Sequence, residues 1–171
     1  MLRLVGLVMI VGLSITTGTY LGKVYGFRVE DLKNFKKALV ILKSEIEYMG
    51  TPLSQALQNI GDKLSPSVVS SVFYEASTQL EAHVPPDLAL ESSLTKYQPQ
   101  MYLLADDQAN LKSFGKTLGY LDKELQLNNI ALTLNYLDQR IQEEIQNQIK
   151  YKKLYQTLGI LAGLLAVVVL I

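Results

Sequence analysis

Cysteine and tryptophan are missing from the 171 residues, and His83 is the single histidine. Without cysteine there are no disulfides, no thiol nucleophiles and no cysteine-based zinc or iron–sulfur sites, which suits a reducing cytoplasm. A lone histidine has no second histidine or cysteine to share a metal with. His83 also lies in "HVPPD", where prolines break the chain, so it reads as a helix-end residue facing carbonyls rather than a ligand or general base. Net charge is missing as well, since 16 lysine and arginine residues balance 16 aspartate and glutamate residues. No stretch alternates with period two for long enough to make a strand, whereas helical periodicity runs through most of the chain.

The two ends lack charge altogether. Leu4–Gly22 and Leu154–Ile171, runs of 19 and 18 residues, are each long enough to cross a hydrocarbon core about 30 Å thick at roughly 1.5 Å per residue. The first run is longer than the core of a secretory signal and no clean small-x-small cleavage site follows it, so a retained anchor is expected. The second is apolar on every face and reads as a span rather than a core helix. The expected organisation is an N-terminal transmembrane helix over 1–22, a helical bundle over 23–153 and a C-terminal transmembrane helix over 154–171. Lys23 and Arg28 after the first run, and Lys150, Lys152 and Lys153 before the second, put the bundle on the cytoplasmic side by the positive-inside rule. Tyr20, Tyr25, Tyr151 and Tyr155 stand where aromatic side chains anchor spans at the headgroups. Small residues four apart, Ser14, Gly18 and Gly22 in the first run and Gly159 and Gly163 in the second, are candidate helix-packing faces in lipid.

Between the runs, Leu32, Phe35, Leu39, Leu42, Ile46 and Met49 predict one face of a helix that Gly50 ends in a left-handed cap. Thr51 as N-cap and Pro52 as first residue start a second helix, with Leu53, Leu57, Ile60 and Leu64 inward. Ser65 and Pro66 repeat the start signal for a third, lined by Val69, Val72, Phe73, Ala76 and Leu80. A shorter helix follows the prolines from about Asp87 to Tyr97, and a fifth, with Leu104, Leu111, Phe114 and Leu118 inward, runs to Gly119. Leu127, Ile130, Leu134, Leu137, Ile141, Ile145 and Ile149 then form one seam without a stop signal, so a single helix about 75 Å long is expected to carry the bundle into the terminal run. The fold class is all-α, a bundle of about six helices flanked by two spans.

Little in this chain promises chemistry. "FGKTLG" ends like a phosphate loop, but Asn110 occupies the position of the first glycine and no strand precedes it, so helix packing is expected instead. Asp106 and Asp107 read as acidic residues complementing a helix start. Lys33, Lys36 and Lys37 read first as a solvated face and, as the alternative, as a candidate face for an acidic partner or anionic lipid headgroups, beginning within about ten residues of the first run. Neither terminal run holds an Asp, Glu, Lys, Arg or His residue, which argues against intramembrane catalysis. No catalytic residue, cofactor, metal or nucleic-acid partner is expected.

The blocks "EIEY" and "TPLSQAL", then "FGKTLG" with "DKELQ", and finally "KLYQTLGILAGLLAVVVLI" occur in that order. They resemble the stage III sporulation protein AB family of endospore-forming bacteria across essentially the whole chain. That resemblance implies a noncatalytic platform in the channel complex joining mother cell and forespore. It also implies a bundle similar to the cytoplasmic domains of the type II secretion F platform protein, set on the mother-cell side of the cell membrane. The implied partners are a stage III sporulation protein AA-type ATPase and other channel subunits, with self-association as a further expectation. Thr51, Pro52, Leu53, Phe114, Gly115, Leu118 and Gly119 are the motif positions, expected to serve packing. The alternative reading is a membrane-anchored helical sensor or regulator whose last helix transmits a signal across the bilayer.

Overall fold

Apolar residues at three- and four-residue spacing put Leu32, Phe35, Leu39 and Leu42 on one stripe, and the computed structural model of the chain buries all four on a helix over 26–44, α1. The structure describes residues 26–119 and 122–170, except the side chains of 152, 155, 156, 159, 160 and 162–170. Among these residues there are six α-helices and no strand. After α1 come α2 (Leu53–Lys63), α3 (Val68–Glu81), α4 (Pro86–Tyr97), α5 (Ala105–Gly115) and α6 (Lys123–Leu170). They form two compact units, Glu30–Ile141 and a second that holds 26–29 with 142–170.

Local chemistry sets the helix ends, with some departures from expectation. Gly50 takes the left-handed conformation (φ 59°) and its N–H reaches the Glu45 carbonyl. That bond closes a π-turn over Glu45–Met49, which needs one more residue per turn than an α-helix. The inward face is therefore delayed by about one residue. Met49, expected inside, is 68% exposed as a result, while Glu45, three residues after Leu42, is buried. Thr51 does not cap α2 either. Pro52 holds the N-cap position, its carbonyl accepting from the Ala56 N–H at 2.9 Å, and the Thr51 hydroxyl turns back to Glu45. Ser67, rather than Ser65, starts α3 through a reciprocal pair of bonds with Ser70. α5 ends at Gly115, four residues earlier than expected, and Leu104 is exposed at its N-cap while Met101 and Leu103 take the inward places.

The core of the Glu30–Ile141 unit lies between α1 and the run α2–α3–α4–α5, in which successive helices pack on one another. Phe35 of α1 and Phe73 of α3 meet with ring centroids 6.1 Å apart, and Leu90, Leu94, Leu111 and Phe114 close around them. α6 adds Ile130 and Leu137, both fully buried, while Leu134 is half-buried. The unwound strap Met101–Leu104 is held by two carboxylates. Asp31 of α1 accepts from the Tyr102 N–H at 2.8 Å, and Asp107 of α5 accepts from the Leu104 N–H at 3.0 Å. Burial pushes the Asp31 carboxyl above its ordinary value, against the pull of the Tyr102 N–H. In the other unit Arg28 pairs with buried Glu144, which also accepts from Asn147 at 3.3 Å.

Among the described residues no helix is long and apolar enough to cross a membrane. The run Leu4–Gly22, with Ser14, Gly18 and Gly22, lies outside them, as do the surroundings of Gly159 and Gly163 and most side chains of Leu154–Ile171. The backbone of that second run is helical as far as Leu170.

Candidate functional site at the meeting of the motif segments

Four of the segments singled out in the sequence, two within 45–57 and two within 114–126, meet where α1 ends and α6 begins. Glu45 of "EIEY" accepts from the Thr51 hydroxyl of "TPLSQAL" at 2.7 Å, and from the Lys63 ammonium, also at 2.7 Å. Glu47 offers its carbonyl to the Lys123 ammonium of "DKELQ" at 2.7 Å. Gly119 of "FGKTLG" sits so close to Pro86 that a Cβ there would lie 2.8 Å from the proline Cγ and 3.6 Å from Leu53 Cδ2. Asn129 of α6 donates to the Thr117 hydroxyl, which itself donates to the Phe114 carbonyl. Thr51, Leu53 and Gly119 thus converge on one end of the unit, while Phe114, Gly115 and Leu118 face inward beneath it. Pro52 is exposed, and a Cβ on Gly115 would meet Leu90 at 3.2 Å.

"FGKTLG" leaves no cradle for a phosphate. Lys116, Thr117 and Leu118 form a turn rather than the expected helix, and their N–H groups donate to the carbonyls of Lys112, Phe114 and Gly115 at 3.0–3.1 Å. A phosphate loop needs such donors free. His83 adopts a left-handed conformation (φ 63°) just after α3, its N–H bonded to the Leu80 carbonyl, and its side chain is exposed. Among the described residues no group of three or more His, Asp or Glu side chains is placed to hold a metal ion.

The lysine face divides. Lys36 pairs with Asp138 of α6 at 2.5 Å, whereas Lys33 and Lys37 are exposed. Asp106 and Asp107 also differ from one another. Asp106 is exposed and pairs with Arg140 at 3.3 Å, but Asp107 is fully buried and accepts from the Tyr136 hydroxyl at 3.1 Å. Arg140 stands 5.4 Å from the Tyr136 ring centre, so two helices are joined by one carboxylate–phenol–guanidinium cluster.

Periodicity alone missed Glu45, a charged residue at an inward position. The only signal was its place three residues after Leu42, with Thr51 and Lys63 downstream to receive its charge. The Lys63 ammonium, then the Thr51 hydroxyl, hold the Glu45 carboxyl below its ordinary value of 4.5. A depressed carboxylate contributes stability above its unfolded pKa and loses it as pH falls through the lower folded value. Glu45→Gln should therefore melt earlier than the wild type at neutral pH. The difference should shrink below pH 4.5, as followed by circular dichroism of the detergent-solubilised chain. A gap unchanged down to about pH 3 would remove the charge from this account.

Among the described residues this geometry defines a helical protein whose motif segments build an ion-paired turn around buried Glu45. The family model described as stage III sporulation protein AB matches residues 3–171. Stage III sporulation protein AB of Bacillus subtilis (strain 168) is 36% identical over 171 residues, covering 99% of each chain. A solved structure of stage III sporulation protein AB superposes with a TM-score of 0.67 at 33% identity, over 72% of this chain and 98% of the other. The chain belongs to the stage III sporulation protein AB family.

Proposed function

We propose that this protein is a noncatalytic membrane platform of the mother cell–forespore channel, docking a cytoplasmic stage III sporulation protein AA-type ATPase to the membrane complex. The meeting of the motif segments carries the reading. Four blocks spread over some eighty residues cooperate to shape one end of the bundle, and that end exposes Tyr48 at 79% and Met49 at 68%. Large apolar side chains so exposed on a rigid turn are suited to anchoring a partner. In this proposal the two terminal runs span the cell membrane. The long helix α6, assigned from Lys123 to Leu170, is what favours the alternative of a helical sensor.

Purified full-length protein in detergent should bind the ATPase, and Tyr48→Ala with Met49→Asp should weaken that binding about tenfold or more, the loss of two apolar anchors. Because both side chains are exposed, melting should stay unchanged. Binding that survives both substitutions would move the docking face elsewhere. No binding by the wild type, with no effect on ATP hydrolysis, would leave the sensor reading. Topology is tested separately. Ser44, exposed at the end of α1, is a suitable reporter. Ser44→Cys should resist impermeant thiol reagents in intact cells and react after lysis, whereas labelling of intact cells would place the bundle outside.

A further inference from the structure

α3 and α4 pack side by side, and a groove of about 560 Å³ runs along them. The turn after α3 fixes one boundary. With His83 left-handed, the Val84 N–H bonds back to the Gln79 carbonyl at 3.0 Å and its side chain lines the groove. Ser92 of α4 donates to the Gln79 side chain of α3 at 2.7 Å, tying the two walls together. The apolar lining comes from Val84 and from Leu88, which is 53% exposed. No described residue covers it.

Charge narrows what fits. From Val68 to Tyr97 the chain carries Glu75, Glu81, Asp87 and Glu91 against the single cation Lys96. Lys96 is already held by Glu75 at 2.8 Å. Glu91 and Lys96 both line the groove, and with Lys96 engaged by Glu75 the charge left facing it is that of Glu91. An occupant must bring an apolar side chain flanked by positive charge.

The same molecule displays such a surface. On α1, Lys33, Lys37 and Val40 fall at i, i+4 and i+7 on one outward face, both lysines exposed and Val40 exposed at 49%. Glu30 stands at the far end of this stripe, and Lys36 beside it is engaged with Asp138. We propose that the α3–α4 groove of one copy receives the Lys33–Val40 face of α1 from a second copy. Val40 packs on Leu88 and Val84, and Lys37 faces Glu91. The contact joins two different surfaces, so it repeats head to tail from copy to copy, closing into a ring or extending as a filament. It is independent of ATPase docking at Tyr48 and Met49.

The absence of native cysteine allows a direct test. Full-length chains carrying Val40→Cys and Leu88→Cys are co-expressed, and their membranes are oxidised. The mixed disulfide dimer should exceed, by about fivefold or more, that of Val40→Cys with Ser113→Cys, an exposed α5 position away from the groove. Glu91→Lys in the Leu88→Cys chain, or Lys37→Glu in the Val40→Cys chain, should each lower the mixed dimer about threefold, since like charges then face each other. Combining them should restore it. Three results would each overturn the proposal: a mixed dimer no more abundant than the control, a predominance of Leu88→Cys homodimers, or a charge exchange that fails to restore cross-linking. The first is also what a basic helix from a different protein in the groove would give.

Discussion

Replacing Gly119 with valine should destabilise the bundle by about 2–5 kcal/mol, combining the cost of a strained backbone with that of overpacking. Gly119 has φ 80°, a conformation a β-branched residue enters only with strain. A Cβ there would lie 2.8 Å from Pro86 Cγ, and a proline ring has little freedom to retreat. The two costs separate experimentally. Gly119→Asn tolerates the left-handed backbone better and retains the collision, whereas Gly119→Ala in a Pro86→Ala background keeps the strain and relieves the collision. For a domain of this size the valine variant should melt roughly 5–15 °C lower by circular dichroism. A shift within about 2 °C would show that the turn after α5 relaxes freely, and its place among the shared motifs would then need a reason other than packing.

Sporulation should fail when two glycines are inserted between Lys153 and Leu154, while protein level and membrane fractionation stay normal. Both flanking residues lie within α6, in the part that contains the Arg28–Glu144 pair. Each glycine costs only about 1 kcal/mol in helix propensity, so the chain still folds. Two extra residues nevertheless turn everything after Lys153 by about 200° relative to the helix before it, at 100° per residue. The candidate packing face at Gly159 and Gly163 would point away from whatever it meets in the proposed span. Full complementation would reduce the terminal run to a tether whose register is irrelevant.

How far the sequence could be read depended on which forces were local. Apolar spacing placed the helices, and Leu32, Phe35, Leu39, Leu57, Ile60, Val72 and Phe73 lie inside as expected. Burial of a large apolar side chain needs no particular partner, so spacing suffices to foresee it. Glu45 and Asp107 escaped because a carboxylate goes inside only when specific donors wait there, and those are Lys63, eighteen residues on, and Tyr136, twenty-nine residues on. The π-turn was hidden for a related reason. It rests on Gly50 and on Thr51 choosing Glu45 over the N-cap, a choice fixed only once Lys63 also arrives. The convergence of the motif blocks is tertiary in the same way, although their order along the chain identified the family.

The strap Met101–Leu104 has the appearance of a loop and the anchoring of a helix. In the language of hydrogen–deuterium exchange, the two amides report different events: the Tyr102 N–H is closed by the Asp31 carboxylate of α1, far away along the chain, whereas the Leu104 N–H is closed by Asp107 in the first turn of α5 itself. Opening the start of α5 releases the Leu104 amide. Releasing the Tyr102 amide breaks a tertiary tie to α1, a larger event than the local fraying that irregular backbone usually reveals.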